Sequence, residues 1–520
     1  MSSPSIPLIG LATTDFVPGT YIAVNFAQGP SAGTAAPITL LLMGNATAAS
    51  YVNTNTLYDG YVFGPDVEGF TCSTEADVIN LFGAGSELHR MFRRVAKVNQ
   101  GTTPVYLLAV KESTGSAATG VATFTTTATG NGSVRCYVGD QFVDVAVTTG
   151  DTVDTVATNL KAQINSQANW GVTADNSSGV LTITAKQKGL RSNKLRFAVR
   201  VTGVGVGTTS SAQNFAFLSG GSTADSWTNA LATINPKKFT YIVSGGEDSS
   251  TTGNLGLLVA QVASNALPIP GIRQRVFGGN VDSLGTVNAF AKALNSPLAD
   301  VVWQPNSNLT PAELAAYTAG AVCLGESQSV PILNWDYLGT TPQTAPLWQA
   351  SAPFDGTTPS RNDLKSALVS GVTPVATLPG GRSSLVSLIT TYSQDPVTSN
   401  LDTRVRDHSI VTVMFLAADL IQSVVSQSFA NKQAGDDPAK GAKPPTSQVV
   451  TPGIVKATIN KVISRMGDNG LLQNVAASLA ATQVVREVSP DSRFGCLVQL
   501  EPISNAHQFA INLNQVQFLA

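Results

Sequence analysis

The sequence predicts a mixed α/β protein of class α+β: an interrupted α/β core, an inserted β-rich domain, a C-terminal α+β domain and extended terminal arms. Continuous apolar runs that suit buried strands alternate with capped amphipathic helices on both sides of an interruption. Within the interruption, residues 112–221, the texture changes to Thr, Gly, Ser and Ala with short alternating strands, as in a module with its own small core. The last block opens on a long apolar helix and closes on strands. The expected units are an arm at 1–36, a discontinuous α/β core at 37–111 and 222–400, the insertion at 112–221, a C-terminal domain at 401–505 and a final arm strand at 506–520.

The elements follow in order. The segment 1–36 is rich in Pro, Gly, Ser and Thr and holds one apolar pattern, from Phe16 to Val24, which reads as an extended arm with one strand. Ile38 to Gly44 and Val105 to Val110 are apolar runs that suit strands buried on both faces. Between them, Ser73 and Thr74 precede a capped helix that Gly83 closes, and a second helix runs from about Ser86 to Val98. In the insertion, Val134–Val138 and Val180–Thr184 alternate as strands around a helix near Thr152–Ser166. Alternation resumes with a strand at Phe239–Val243, a helix at Leu255–Asn265, a strand at Arg275–Gly278, a helix at Val287–Leu294 and a strand at Ala299–Trp303. Thr310 then caps a helix with Pro311 in its first turn. Residues 339–381 read as a loop. Asp402 or Thr403 is expected to cap the long helix centred on Ile410 to Val425, apolar on nearly every side and so expected in the middle of a core. Thr451-Pro452 starts another helix, with Val455, Ile459, Val462, Ile463 and Met466 on one stripe and Lys461 and Arg465 opposite. Phe494–Leu500 and Gln508–Phe518 read as strands; in the second, Phe509, Ile511 and Leu513 alternate with polar or small residues, and Val516 and Phe518 lie further along.

Composition narrows the function classes. At roughly 100 to 200 residues per domain, 520 residues hold three or four folding units. Only 12% of the residues are charged against 43% hydrophobic, so much of the surface is Ser, Thr, Asn, Gln and Ala, which is easiest to explain if copies of the chain cover one another. A net charge of −2 without any Lys/Arg run gives no field for nucleic acid or membrane. Cys72, Cys136, Cys323 and Cys496 lie far apart, which argues against a zinc site or disulfide framework and predicts four buried free thiols. No cofactor or metal is expected. Met1–Gly10 does not read as a signal peptide, so the product is expected to stay in the cytoplasm where it is made. The apolar segment Ile410–Val425 falls short of the ~20 residues that cross a bilayer.

Val17-Pro18-Gly19-Thr20-Tyr21-Ile22 resembles the PGVYI signature near the start of contractile tail sheath proteins, departing from it at Thr20 and, just beyond, at Ala23. The C-terminal block is similar to theirs too, in its long helix, its Thr-Pro-Gly helix start, the Val484-Val485-Arg486-Glu487-Val488 segment and its closing strands. The block order is most similar to the Mu-like type of phage tail sheath with an inserted β-rich domain. The resemblance implies a sheath core and a structural subunit that polymerises around an inner tail tube and contracts to drive it through the host envelope during genome delivery. Arm strands at Val17, Pro18, Gly19, Tyr21 and Ile22 and at Phe509, Ile511, Leu513, Val516 and Phe518 would then join neighbouring subunits' sheets by β-augmentation. Partners implied are the chain itself in stacked rings, the tube protein, and baseplate and tail terminator proteins, in a virion tail assembled in the bacterial cytoplasm. Lys461 and Arg465 are candidate tube contacts; an ordinary solvated helix face is the competing reading.

Two rivals have less support. No Gly-x-Ser-x-Gly elbow, His-Glu-x-x-His or phosphate loop frames His89, His408 or His507, and Asp407-His408 reads as a helix start, so no catalytic residue is expected. The glycines at 203–207 read as a turn in the insertion. The cluster Arg90, Arg93, Arg94 and Lys97 reads as a solvated helix face, with contact to acidic surfaces as the alternative. A secreted adhesin or surface-layer protein predicts a signal peptide and an all-β chain, neither of which the sequence offers.

Overall fold

The computed structural model describes residues 38–47, 61–68, 70–203, 205–206, 214–234, 237–245, 253–269, 271–328, 351–378, 382–439, 446–488 and 491–504. The first stretch supplies β1 (Leu40–Gly44), β2 (Val62–Phe63), α1 (Glu75–Phe82), α2 (Glu87–Asn99) and β3 (Val105–Ala109). Thr74 caps α1 in a reciprocal box with Asp77, and the Ser86 side chain caps α2. Next comes a β-rich stretch: β4 (Ala117–Thr123), β5 (Gly132–Val138), β6 (Gln141–Val147), α3 (Val153–Ser166), β7 (Val172–Ser177), β8 (Val180–Lys188), β9 (Arg196–Thr202) and β10 (Ala216–Phe217). It forms two antiparallel sheets, ordered β10-β9-β5-β6 and β4-β8-β7, around a separate core that includes Val134, Leu160, Ile164, Leu181, Ile183 and Phe197.

Alternation then resumes with α4 (Thr228–Ile234), β11 (Tyr241–Ser244), α5 (Asn254–Asn265), β12 (Arg275–Asn280), α6 (Leu284–Leu294), β13 (Ala299–Trp303), α7 (Pro311–Gln328), α8 (Arg361–Val369), β14 (Thr373–Leu378) and β15 (Arg382–Leu385). These strands and the first three make one eight-stranded sheet, ordered β15-β14-β13-β12-β11-β1-β3-β2. From β14 to β3 all pairings are parallel, and the short border strands β2 and β15 run antiparallel to their neighbours. The β1 run is apolar throughout because both sheet faces are covered. Leu40 and Leu42 pack with Phe82, Leu88 and Met91 on one side, and Leu41 and Met43 with Leu258 and Val262 on the other. The chain crosses between α2 and α7 at close range: a Cβ on Gly320 would lie 2.8 Å from Val98 Cγ2 and 3.2 Å from Val95 Cα.

The last block holds α9 (His408–Phe429), β16 (Gln433–Ala434), β17 (Val449–Val450), α10 (Pro452–Asp468), α11 (Val475–Ala481), β18 (Gln483–Arg486) and β19 (Phe494–Leu497). The expected α10 stripe, Val455, Ile459, Val462, Ile463 and Met466, is buried together with Val413, Ala417 and Leu472.

Five expectations need correction. Within 339–381, α8 forms behind a Ser360/Asp363 capping box, and β14 joins β13 in parallel. Helix α9 is capped at Asp407; Asp402 instead accepts hydrogen bonds from Arg404 and Tyr392. Only the first half of α9, through Ala418, is buried, while its second half is half-buried or exposed, so it is not a core helix throughout. At 22 residues α9 is also long and apolar enough to cross a membrane by length and composition, unlike the shorter segment considered above. Lastly, Cys72, Cys136 and Cys323 are buried, but Cys496 is exposed on β19.

Candidate assembly surfaces and the filled crevice

The expected arm strands at Val17, Pro18, Gly19, Tyr21 and Ile22 and at Phe509, Ile511, Leu513, Val516 and Phe518 lie outside the described residues. Of the candidate site residues, Lys461 and Arg465 are described. Both are exposed on the solvent face of α10, in a stripe with Ile454 and Ala457, opposite the buried stripe. Neither meets a carboxylate among the described residues.

Beside α10 lies the β18–β19 ribbon, antiparallel with Gln483 opposite Leu497 and Arg486 opposite Phe494. Among the described residues it has two strands only, so each outer border presents unpaired backbone groups. Its connection is held by arginine hydrogen bonds: Arg493 Nε donates to the Glu487 carboxylate at 2.6 Å, and Arg486 Nε to the Asp491 main-chain carbonyl at 2.7 Å. A two-stranded ribbon has marginal stability alone. Here Val484 and Phe494 pack onto the α10 core, which fixes one face and leaves the borders open.

The parallel sheet has a second place where a site could form. From neighbouring β1 and β11 the chain continues to opposite sides, to β3 and to β12, and beyond the carboxyl ends of such strands open α/β sheets bind ligands. Asn45 and Gly245 stand there. Glu87 of α2 accepts from the Asn45 amide at 3.1 Å, and Arg191, from the turn between β8 and β9, pairs with both Glu87 and Asp225. Asp225 also accepts from the Ser113 amide at 2.8 Å. Glu87, Arg191 and Asp225 are 3%, 4% and 7% exposed, so the crevice is filled by the protein's own ion triad.

Further pairs tie the insertion to the core. Arg94 Nη1 and Nη2 each donate to Asp140 at 2.8 Å, and Nη2 also donates to Glu313 at 3.0 Å. Arg196 pairs with Asp355 at 2.7 Å and Lys194 with Asp282 at 2.5 Å. Burial alone would raise the Glu313 carboxyl, but Arg94, Arg90 and hydrogen bonds from Thr310 outweigh it and bring it down to about 2. The α2 cluster is therefore not a solvated face: Arg90 is buried and Arg94 bridges two elements, because their partners lie on distant stretches of chain.

His408 belongs to a buried network rather than an ordinary helix start. Its Nδ1 lies 2.8 Å from Asp300, whose two oxygens accept from Arg275 Nη2 at 3.0 and 2.9 Å. The Tyr241 hydroxyl donates to Glu326 at 2.5 Å and lies 3.3 Å from His408 Nε2. Burial and Glu326 push the Tyr241 phenol well above its ordinary value. With Asp300 and Tyr241 at 0% exposure and His408 at 2%, the network opens onto no cleft and fastens α9 across the amino ends of β11, β12 and β13.

The fold is thus a parallel α/β sheet with a β-rich insertion, a filled switch-point crevice and a C-terminal block with open ribbon borders. No protein-family model matches the chain. It is similar, at 24% identity over 510 residues, to the Mu-like prophage FluMu tail sheath protein of Haemophilus influenzae, covering 97% of each chain. That similarity bears out the resemblance to Mu-like tail sheath proteins. A crystal structure of the sheath tail protein from Desulfitobacterium hafniense aligns with 92% of this chain and 96% of its own at 14% identity and a TM-score of 0.44, a likeness too loose to carry weight.

Proposed function

We propose that this chain is the structural subunit of a contractile tail sheath, acting by self-association and without a reaction or cofactor of its own. The observation that carries the reading is the similarity to a tail sheath protein along 97% of the chain. Copies would stack as rings around an inner tail tube, with baseplate and tail terminator proteins at the ends, in a virion assembled in the bacterial cytoplasm. Contraction would drive the tube through the host envelope during genome delivery.

The arms at 1–36 and 506–520 would act as donor strands, and the open borders of the β18–β19 ribbon are suited to receive them by main-chain hydrogen bonding. The exposed cations Lys461 and Arg465 beside the ribbon suit a contact with a tube surface of opposite charge. Such contacts are heterologous, so they can propagate as a helix without closing. Free energy for contraction would come from repacked subunit interfaces, a bistable arrangement.

Negative-stain electron microscopy of the purified chain, alone and co-expressed with a tube protein, tests the reading. Wild-type tubes that vanish when the arm before Ala27 is removed support it. A chain that stays monomeric in both settings overturns it.

A further inference from the structure

Between α2 and the insertion lies a cleft of about 330 Å³. Four cations line it, Arg90, Arg93, Arg94 and Lys97, against two carboxylates, Asp140 and Glu313. Both carboxylates are taken by Arg94, and Arg93 is reached at 3.4 Å by Glu75, which is not among the lining residues. Arg90 has no carboxylate within 4 Å among the described residues, although Glu313 and Asp140 act on it at longer range. It is 8% exposed, its Nη2 donates to Gln187 Oε1 at 3.3 Å, and its Nε meets no acceptor. A buried guanidinium with an unmet donor is costly unless an anion completes it.

The cleft is also shaped around that guanidinium. A Cβ on Gly171 would lie 2.4 Å from Arg90 Nη1, so a larger residue there would have to shift the guanidinium. Lys186 lies outside the lining: its ammonium donates to the Ala84 and Ala168 carbonyls, and burial, then the charge of Arg90, hold it below the ordinary lysine value. Lys97 is exposed at the rim and rests over the Tyr317 ring at 5.6 Å, with no carboxylate paired to its ammonium among the described residues.

We propose that this cleft is a binding site for a small oxyanion of the phosphate class, held by Arg90 within and by Arg93 and Lys97 at the mouth. Guanidinium groups suit such a ligand because their planar donors match paired oxygens. A bound oxyanion would contact side chains of α2 beside the insertion's 138–141 and 169–171 segments, tightening that junction. The inference is independent of the assembly reading and holds for the isolated subunit.

The test is calorimetric titration of the full chain with inorganic phosphate at constant ionic strength, alongside thermal unfolding with phosphate or chloride. Saturable binding and a higher Tm in phosphate are expected. The double variant Arg93→Ala with Lys97→Ala removes two half-buried or exposed side chains, so it is expected to fold, and it should lose affinity about tenfold or more. Arg90→Met should abolish binding, and Lys461→Ala with Arg465→Ala, remote from the cleft, should bind as wild type. Absence of saturable binding in the wild type overturns the proposal, as does undiminished binding in the Arg93/Lys97 variant.

Discussion

Glu313 shows how much one buried carboxylate can control. Its folded-state value of about 2 lies below the ordinary 4.5, so the stability it contributes is complete above 4.5 and is lost as pH falls from there toward 2. The contribution is on the order of 3 kcal/mol. Urea unfolding of Glu313→Gln should therefore differ most from wild type near pH 6, and the gap should shrink in acid. For the crevice triad, Arg191→Met leaves Glu87 and Asp225 buried without their cation, and denaturation should reveal a loss of roughly 3–5 kcal/mol. Adding Glu87→Gln and Asp225→Asn should recover much of it. Thiol chemistry is separable too: burial pushes Cys136 up to about 12 and Cys496 up to about 11, but of these only Cys496 is exposed, so a native labelling experiment is expected to modify one thiol, slowly at neutral pH and faster as the pH rises, and none in Cys496→Ser. These side chains were the least legible from sequence. Arg94 meets Asp140 and Glu313, 46 and 219 positions away, and His408 meets Asp300 across 108. Helical spacing sees only neighbours three or four residues apart, so the α2 cations read as solvated and His408 as incidental.

Helices and strands were far easier to anticipate, because caps and apolar periods are local. Thr74, Ser86, Thr152, Thr310 and Thr451 all stand at helix starts as the pattern implied. Helix α8 and strand β14 are hard to see in the sequence because Pro, Gly and Thr dominate the surrounding stretch, and the Ser360/Asp363 capping box is the one local sign of the helix. The α9 cap was misplaced because the acidic residue at 402 precedes a short turn that Arg404 stabilises from its own side chain. The apolar second half of α9 looks like core in composition, but Leu420, Ile421, Val424, Val425 and Phe429 are only partly buried, at the margin of the C-terminal core. Two glycines give opposite expectations. Gly320→Leu should strike Val95 and Val98 where α2 crosses α7 and lower stability by about 3 kcal/mol or more. Gly285→Ala, with open space on exposed α6, should raise it by about 0.5–1 kcal/mol. Chemical denaturation of both checks the contrast.

Taken together, the insertion and the parallel sheet behave as parts fastened to each other by buried charge rather than as beads on a string. Removing residues 115–218 would strip the guanidinium of Arg191 from Glu87 and Asp225. The shortened chain should unfold at lower denaturant than wild type, with partial recovery on Glu87→Gln and Asp225→Asn. The interruption of the sheet was legible because composition shifts sharply on either side of it. How tightly the two parts are joined was not, since that depends on pairs formed between distant stretches.

The borders of the sheets differ in a way that bears on growth. Among the described residues the eight-stranded sheet ends on β2 and β15, short strands turned against their neighbours, which makes it a poor template for a long incoming strand. Among the described residues, the ribbon of β18 and β19 has no strand on either flank. If the two terminal segments donate as proposed, each subunit offers two ends and accepts two, so its valence is balanced. A polymer built that way extends without branching and stops only where a partner saturates the last pair of flanks.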